Sequence, residues 1–116
     1  MKEHNIIKDK SIKFAINIIK LTKELQSRNE YILANQILRS GTSIGANIAE
    51  SEYAASKADF INKLAIAQKE AAETKYWLEI LFQTEIINSE TYVSLKKDVD
   101  DILRILAKII ITSKKD

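Results

Sequence analysis

The chain has 116 residues, 46% hydrophobic and 29% charged, which is enough for one domain with a real core, too few for two, and too apolar for a disordered polymer. No proline and only two glycines leave little to support the tight turns of a sheet protein, so an all-α fold is expected; the absence of cysteine excludes disulfides, thiolate zinc sites and cysteine nucleophiles and fits a reducing, cytoplasmic setting. Lys and Arg (18) barely outnumber Asp and Glu (16), so a polyanion partner would have to be recognised by where the cations cluster, since the total charge is nearly balanced.

The opening residues MKEHNIIKDKSIKF lack the apolar stretch and small-residue cleavage site of a signal peptide. A first helix is expected over about 10–28, capped by Asp9 or Ser11, with Phe14, Ile18, Leu21 and Leu25 forming one buried stripe. Lys10, Lys13, Lys20, Lys23 and Arg28 make this helix basic. With no base-reading or stacking motif beside them, phosphate contacts are the nucleic-acid interaction these residues permit.

Asn29 is the expected cap of a second helix over about 30–53. Leu33, Ile37, Gly41, Ile44 and Ile48 share one stripe, with Gly45 and Ala49 beside it; keeping that phase across both glycines argues for a continuous helix and against a loop at SGTSIG. Gly41, Gly45 and Ala49 make a smooth strip for close helix packing. A phosphate-cradling loop would need a GK[ST] sequence and a preceding strand, and has neither. The opposite side presents Gln36, Arg39, Ser40, Ser43, Asn47 and Glu50, a hydrogen-bonding row without the lysines of a merely solvated face.

Ser56 with Asp59 three residues on resembles a capping box and starts a third helix over about 57–86. Its main stripe is Phe60, Leu64, Ala67, Ala71, Thr74, Leu78 and Leu81; Ile66, Trp77 and Ile80 form a second. Lys63, Glu70 and Glu73 lie between or beside these stripes, where isolated charges would be costly. They are therefore expected to join Arg39, Ser40, Ser43, Asn47 and Glu50 in a polar network. Asn88 or Ser89 caps a fourth helix over about 89–112, with Tyr92, Leu95, Val99, Ile102, Leu106 and Ile109 as its seam. Leu103, Ile105, Ile110 and Ile111 exceed what one core needs and, with Ile66, Trp77 and Ile80, predict an oligomer interface. The apolar run from Ile102 to Ile111 contains Arg104 and Lys108 and falls short of the ~20 residues that span a bilayer, so no membrane partner is expected.

No catalytic constellation emerges. His4, the one histidine, is expected in a frayed terminus and cannot complete a Ser-His-Asp triad or an HExxH site; Glu70 is followed three residues on by Glu73 where a di-iron bundle would place histidine. Glu50, Glu70 and Glu73 could in principle hold Mg²⁺, but charges near Arg39 and Lys63 read better as a packed network, so neither metal nor cofactor is expected. Tyr31, Tyr53, Tyr76, Tyr92 and Trp77 are not interleaved with basic residues and read as packing aromatics.

Arg39 to Ile48 (RSGTSIGANI), Ser56 to Phe60 (SKADF), Ile66 to Ala71 (IAQKEA), Tyr76-Trp77-Leu78 and the Phe14-Ala15 helix closely resemble the small four-helix bundle proteins encoded by 23S rRNA intervening sequences, over nearly the whole chain. The accessory variability determinant proteins of diversity-generating retroelements are related to these. The resemblance implies an up-down-up-down bundle assembling into a barrel-like homopentamer. For the retroelement relatives it further implies a basic surface that engages nucleic acid and a reverse transcriptase. The expected function is that of a non-enzymatic, homo-oligomeric bundle associated with RNA or a ribonucleoprotein. A protein-binding scaffold is the alternative and a metal-dependent phosphohydrolase a distant third.

Overall fold

A computed structural model describes residues 2–115. Among them are four α-helices and no strand: α1 (Lys2–Ser27), α2 (Tyr31–Ser51), α3 (Lys57–Gln83) and α4 (Ser89–Lys115).

Helix α1 begins well before the expected cap. Ile7 is fully buried and extends the stripe of Phe14, Ile18, Leu21 and Leu25 by two turns, so packing carries the helix to Lys2. Ser11 caps nothing: it is buried mid-helix, its hydroxyl donating to the Lys8 carbonyl at 2.8 Å. Asn29 also takes a different role. It sits at φ 63°, with its own N–H on the Gln26 carbonyl (3.0 Å) and the Glu30 N–H on the Leu25 carbonyl (2.9 Å), and so closes α1 in a Schellman motif. Glu30 precedes α2 without a side-chain cap bond. Glu85 repeats the device after α3 at φ 62°, with Ile86 N–H on the Leu81 carbonyl at 2.9 Å, ending α3 at Gln83.

The other two starts follow the sequence pattern. Ser56 Oγ accepts from the Asp59 N–H at 3.0 Å while Asp59 accepts from the Ala55 N–H at 3.0 Å; Asn88 Oδ1 accepts from the Thr91 N–H at 2.8 Å. Each helix runs antiparallel to the next: Ile18 meets Gly41 and Ser11 meets Gly45, Ser40 meets Thr74 and Glu50 meets Lys63, and Glu79 meets Tyr92 where Lys75 meets Asp100. Helix α4 closes the square against α1.

The core is a single apolar column, including Phe14, Ile18, Ile37, Ile44, Leu64, Leu78, Ile102 and Leu106, within a bundle of 48 × 22 × 19 Å. Helix α2 stays helical through both glycines, and those glycines set its distance from α1. A methyl at Gly41 would stand 2.9 Å from Ile18 Cγ2, and one at Gly45 would stand 3.2 Å from Ser11 Oγ. Of the surplus isoleucines on α4, Ile110 is buried, Ile105 half-buried and Ile111 exposed.

Candidate functional site

The polar row of α2 does not act as one network. Arg39, half exposed, reaches across to α3 and donates to Glu70 (3.2 Å) and to Glu73. The Trp77 indole N–H donates to the same Glu73 oxygen at 3.1 Å. These two donors, Arg39 foremost, hold the Glu73 carboxyl below its ordinary pKa, and Glu73 in turn raises that of Arg39. Ser40 faces the same seam but lies beneath it, fully buried with its hydroxyl 2.9 Å from that of Thr74, which also donates to the Glu70 carbonyl at 2.8 Å. Lys63 pairs with Glu50 at 3.2 Å, a separate bridge nearer the far end of the seam. Ser43 and Asn47 do not cross it. Their side chains donate back to the carbonyls of Arg39 (2.6 Å) and Ser43 (2.8 Å), the local alternative open to such residues inside a helix.

The carboxylates Glu50, Glu70 and Glu73 are thus occupied by cations of the chain, and among the described residues no group of three or more His, Asp or Glu side chains is arranged to hold a metal. His4 is not frayed. Its side chain is 12% exposed, with Nε2 3.1 Å from Ser51 Oγ and Nδ1 3.9 Å from Glu52, which Lys8 also pairs at 3.1 Å. This has the residue types of a hydrolytic triad but the proton goes the wrong way. Ser51 is 2% exposed and gives its one hydrogen to the Ile48 carbonyl at 2.6 Å, so His4 must be the donor in its bond to Ser51. The cluster clips the first turn of α1 to the end of α2.

Cations divide sharply between the two halves of the bundle. On α2 and α3, Arg39, Lys63 and Lys75 are among the cations that pair with carboxylates, while Lys69 forms no ion pair among the described residues. On α1, Lys2, Lys10, Lys13, Lys20 and Lys23 are exposed and form no ion pair among the described residues, and the same holds on α4 for Lys97, Lys108, Lys114 and Lys115. Lys10 and Lys13 line the α1–α4 groove with Asn17 and Asp98; Lys20 continues it with Glu24, Glu90 and Ser94; Arg104 and Lys108 border its other end with Glu3 and Ile6. Two of the expected phosphate contacts do not join this face. Lys23 lies five residues from Ile18, on the flank away from α4, and Arg28 is spent on the Ile86 carbonyl at 2.7 Å.

The apolar surface lies only in part where the surplus residues placed it: Ile111 on α4 is 57% exposed. Ile66, Trp77 and Ile80 are half-buried, Trp77 packing on the core as well as on Glu73. More open are Ile12 (49%), Ile16 (47%) and Ile19 (39%) on α1. Ile12 and Ile19 fall on the line through Lys8, which reaches Glu52 at the end of α2, so they flank the α1–α2 seam. Exposed Ala46 and Ala49 continue that surface on α2. Sequence reasoning counted the apolar residues of α3 and α4 and passed over those of α1. The signal was present as a second 4-3 spacing, Ile12-Ile16-Ile19, beside the core stripe.

Fold and surface together define a small antiparallel four-helix bundle whose distinctive features are faces rather than a cleft. The chain belongs to the 23S rRNA-intervening sequence protein family, whose model matches residues 3–108. Among solved structures it is similar to a protein of unknown function from the S23 ribosomal protein family of Bacteroides thetaiotaomicron, with 53% sequence identity, a TM-score of 0.91, and coverage of 93% of this chain and 97% of that one. No curated protein matches. No helix of the described residues is long and apolar enough to cross a membrane.

Proposed function

We propose that this protein is a non-enzymatic, homo-oligomeric bundle that associates with RNA or a ribonucleoprotein through the lysines exposed on α1 and α4. The observation that carries the reading is the segregation of unpaired cations: carboxylates neutralise most of the charge between α2 and α3, while the α1–α4 side keeps lysines free to release counterions from a phosphate backbone. Self-association draws on the α1–α2 isoleucines and on the half-buried Ile66, Trp77 and Ile80. Two unlike apolar patches on different faces suit a head-to-tail contact, and head-to-tail contacts close into a ring where the rotation between copies divides a full turn. A ring would place copies of the lysine face side by side and multiply its field.

The test is RNA binding by fluorescence anisotropy across a salt series, with the oligomer followed by light scattering. Affinity should fall steeply with salt and depend little on sequence. Replacing Lys10, Lys13 and Lys20 together by Glu should abolish binding and leave the oligomer intact, whereas Lys23→Glu should cost little. If no RNA binds at low salt, a protein-binding scaffold, such as an accessory subunit of a reverse transcriptase, becomes the better account. A monomer at micromolar concentration would sink the oligomer.

A further inference from the structure

Building on the RNA reading above, we propose that the α1–α4 face takes a double-stranded segment of RNA, one backbone along each helix. The lysines here form two rows: Lys10, Lys13 and Lys20 on α1, and Lys97, Lys108 and Lys115 on α4. Helical rise puts the α4 row at ~27 Å from end to end, most of one duplex turn.

What lies between the rows decides the ligand. Asp98 sits in the groove beside Lys10 and Lys13. Asp101 lies one turn along α4 from Asp98, held by Arg104 at 2.9 Å. A single phosphate backbone laid along the groove would pass over these carboxylates, and one laid on either ridge would meet only half of the lysines. A duplex puts a backbone on each ridge. The face between its strands, in A-form RNA, is the wide shallow minor groove with its 2′-hydroxyls, donors that a carboxylate can accept from.

A second observation points the same way. Proteins that hold single strands stack the bases on exposed aromatic rings. The exposed aromatics are Tyr31, Tyr53 and Tyr76, none of them on α1 or α4. The one aromatic residue of α4, Tyr92, turns toward α3, where its hydroxyl donates to Glu79 at 2.6 Å and its ring stacks on Phe82. This face offers charge and hydroxyl acceptors and no stacking platform.

The test compares an RNA duplex of about 20 base pairs, either of its strands alone and the same duplex as DNA, each titrated into the intact protein across a salt series. The duplex RNA should bind at least tenfold tighter than the single strand, with the DNA duplex weaker. Lys97→Ala with Lys108→Ala should weaken duplex binding on the order of tenfold and lower the slope of log affinity against log salt by ~2, as the loss of two phosphate contacts requires. Circular dichroism should show that these exposed substitutions leave the helices intact. Equal affinity for single strand and duplex, an α4 variant that binds like the parent, or a DNA duplex that binds as well as RNA would each overturn the assignment. Failure of every nucleic acid at low salt would instead overturn the RNA reading on which it rests, and this inference with it.

Discussion

Gly41 and Gly45 are one turn apart on the same helix, and the same substitution should be tolerated better at Gly45 than at Gly41. Replacing a helical glycine by alanine removes a propensity penalty of ~1 kcal/mol. At Gly45 the new methyl would stand 3.2 Å from Ser11 Oγ and 3.4 Å from Ser11 Cβ, a crowding relieved by a shift of a few tenths of an ångström. Gly45→Ala should therefore be neutral or stabilising by up to ~1 kcal/mol. At Gly41 the methyl would meet Ile18 at 2.9, 3.0 and 3.3 Å, on Cγ2, Cγ1 and Cβ. Ile18 is fully buried and branched at Cβ, so its χ1 has no free well to move into, and the helices must part. Overpacking of this kind costs ~1–3 kcal/mol, which offsets the propensity gain and leaves Gly41→Ala destabilised by up to ~2 kcal/mol.

Chemical denaturation at one fixed protein concentration measures both, the fixed concentration being needed because any self-association would shift the midpoint. The two variants should differ, by up to ~3 kcal/mol, with Gly45→Ala the more stable. A double-mutant cycle sharpens the point: Ile18→Ala should cost ~2–5 kcal/mol alone and clearly less in the Gly41→Ala background, because the atoms it removes are the ones in the way. Equal stabilities, the reverse order, or strict additivity with Ile18→Ala would refute the close approach of α1 and α2.

Thr74→Val removes the hydroxyl that lies 2.9 Å from fully buried Ser40 and should cost ~1–3 kcal/mol by the same denaturation assay, while Ser40→Ala added to it should recover part of that loss. Arg39→Ala should cost only ~0.5–1 kcal/mol despite its two carboxylate partners, because its side chain is 51% exposed; a loss above ~3 kcal/mol would mean the pair is effectively buried. Glu73 titrates below its ordinary value through Arg39 and then Trp77, so its contribution is complete above the usual carboxylate range and is lost as pH falls through the depressed folded value. The gap between parent and Arg39→Ala should accordingly shrink between pH 7 and about pH 3. Glu85→Gly should stabilise by up to ~1 kcal/mol in thermal melts, since φ 62° strains any residue with a Cβ and glycine suits this closing position of α3.

The all-α class, the four helices and most of the core were legible because periodicity is a property of the sequence itself. Ile37, Ile44 and Ile48 keep phase through two glycines, and no loop has reason to do so. Helix ends were less legible. Asn29 fits an N-cap and a left-handed C-terminal position equally well, and the choice was made by the Leu25 carbonyl, which needed the Glu30 N–H. The α1 start was missed for another reason: propensity near Lys2 is unremarkable, and the helix persists because Ile7 is buried by its neighbours. At the α2–α3 seam, sequence spacing placed Arg39, Lys63, Glu50, Glu70 and Glu73 on facing sides. It did not reveal how open the seam is, nor that Ser43 and Asn47 satisfy themselves within their own helix.

Surface function was harder to read for a reason the lysines of α1 make plain. A wheel shows which of them face outward, but an exposed lysine matters to a polyanion only if no carboxylate holds it, and that depends on helices distant in sequence. Lys75 and Lys96 share Asp100, whose carboxyl is held below its ordinary value mainly by Lys75, so neither is free in the sense that Lys13 and Lys97 are. The residues from Arg39 to Ile48 that carry the resemblance behave in the opposite way. Ser40 is buried on Thr74, Gly41 lies under Ile18, Ile44 and Ile48 are core, and Ser43 and Asn47 turn inward on their own backbone. That motif is consumed in joining α2 to α1 and α3, which is why it announces the bundle so clearly and says so little about a ligand. The two rows of lysines and the α1 isoleucines lie outside it, so proteins that share the motif can keep this fold and still differ in what their outer faces bind.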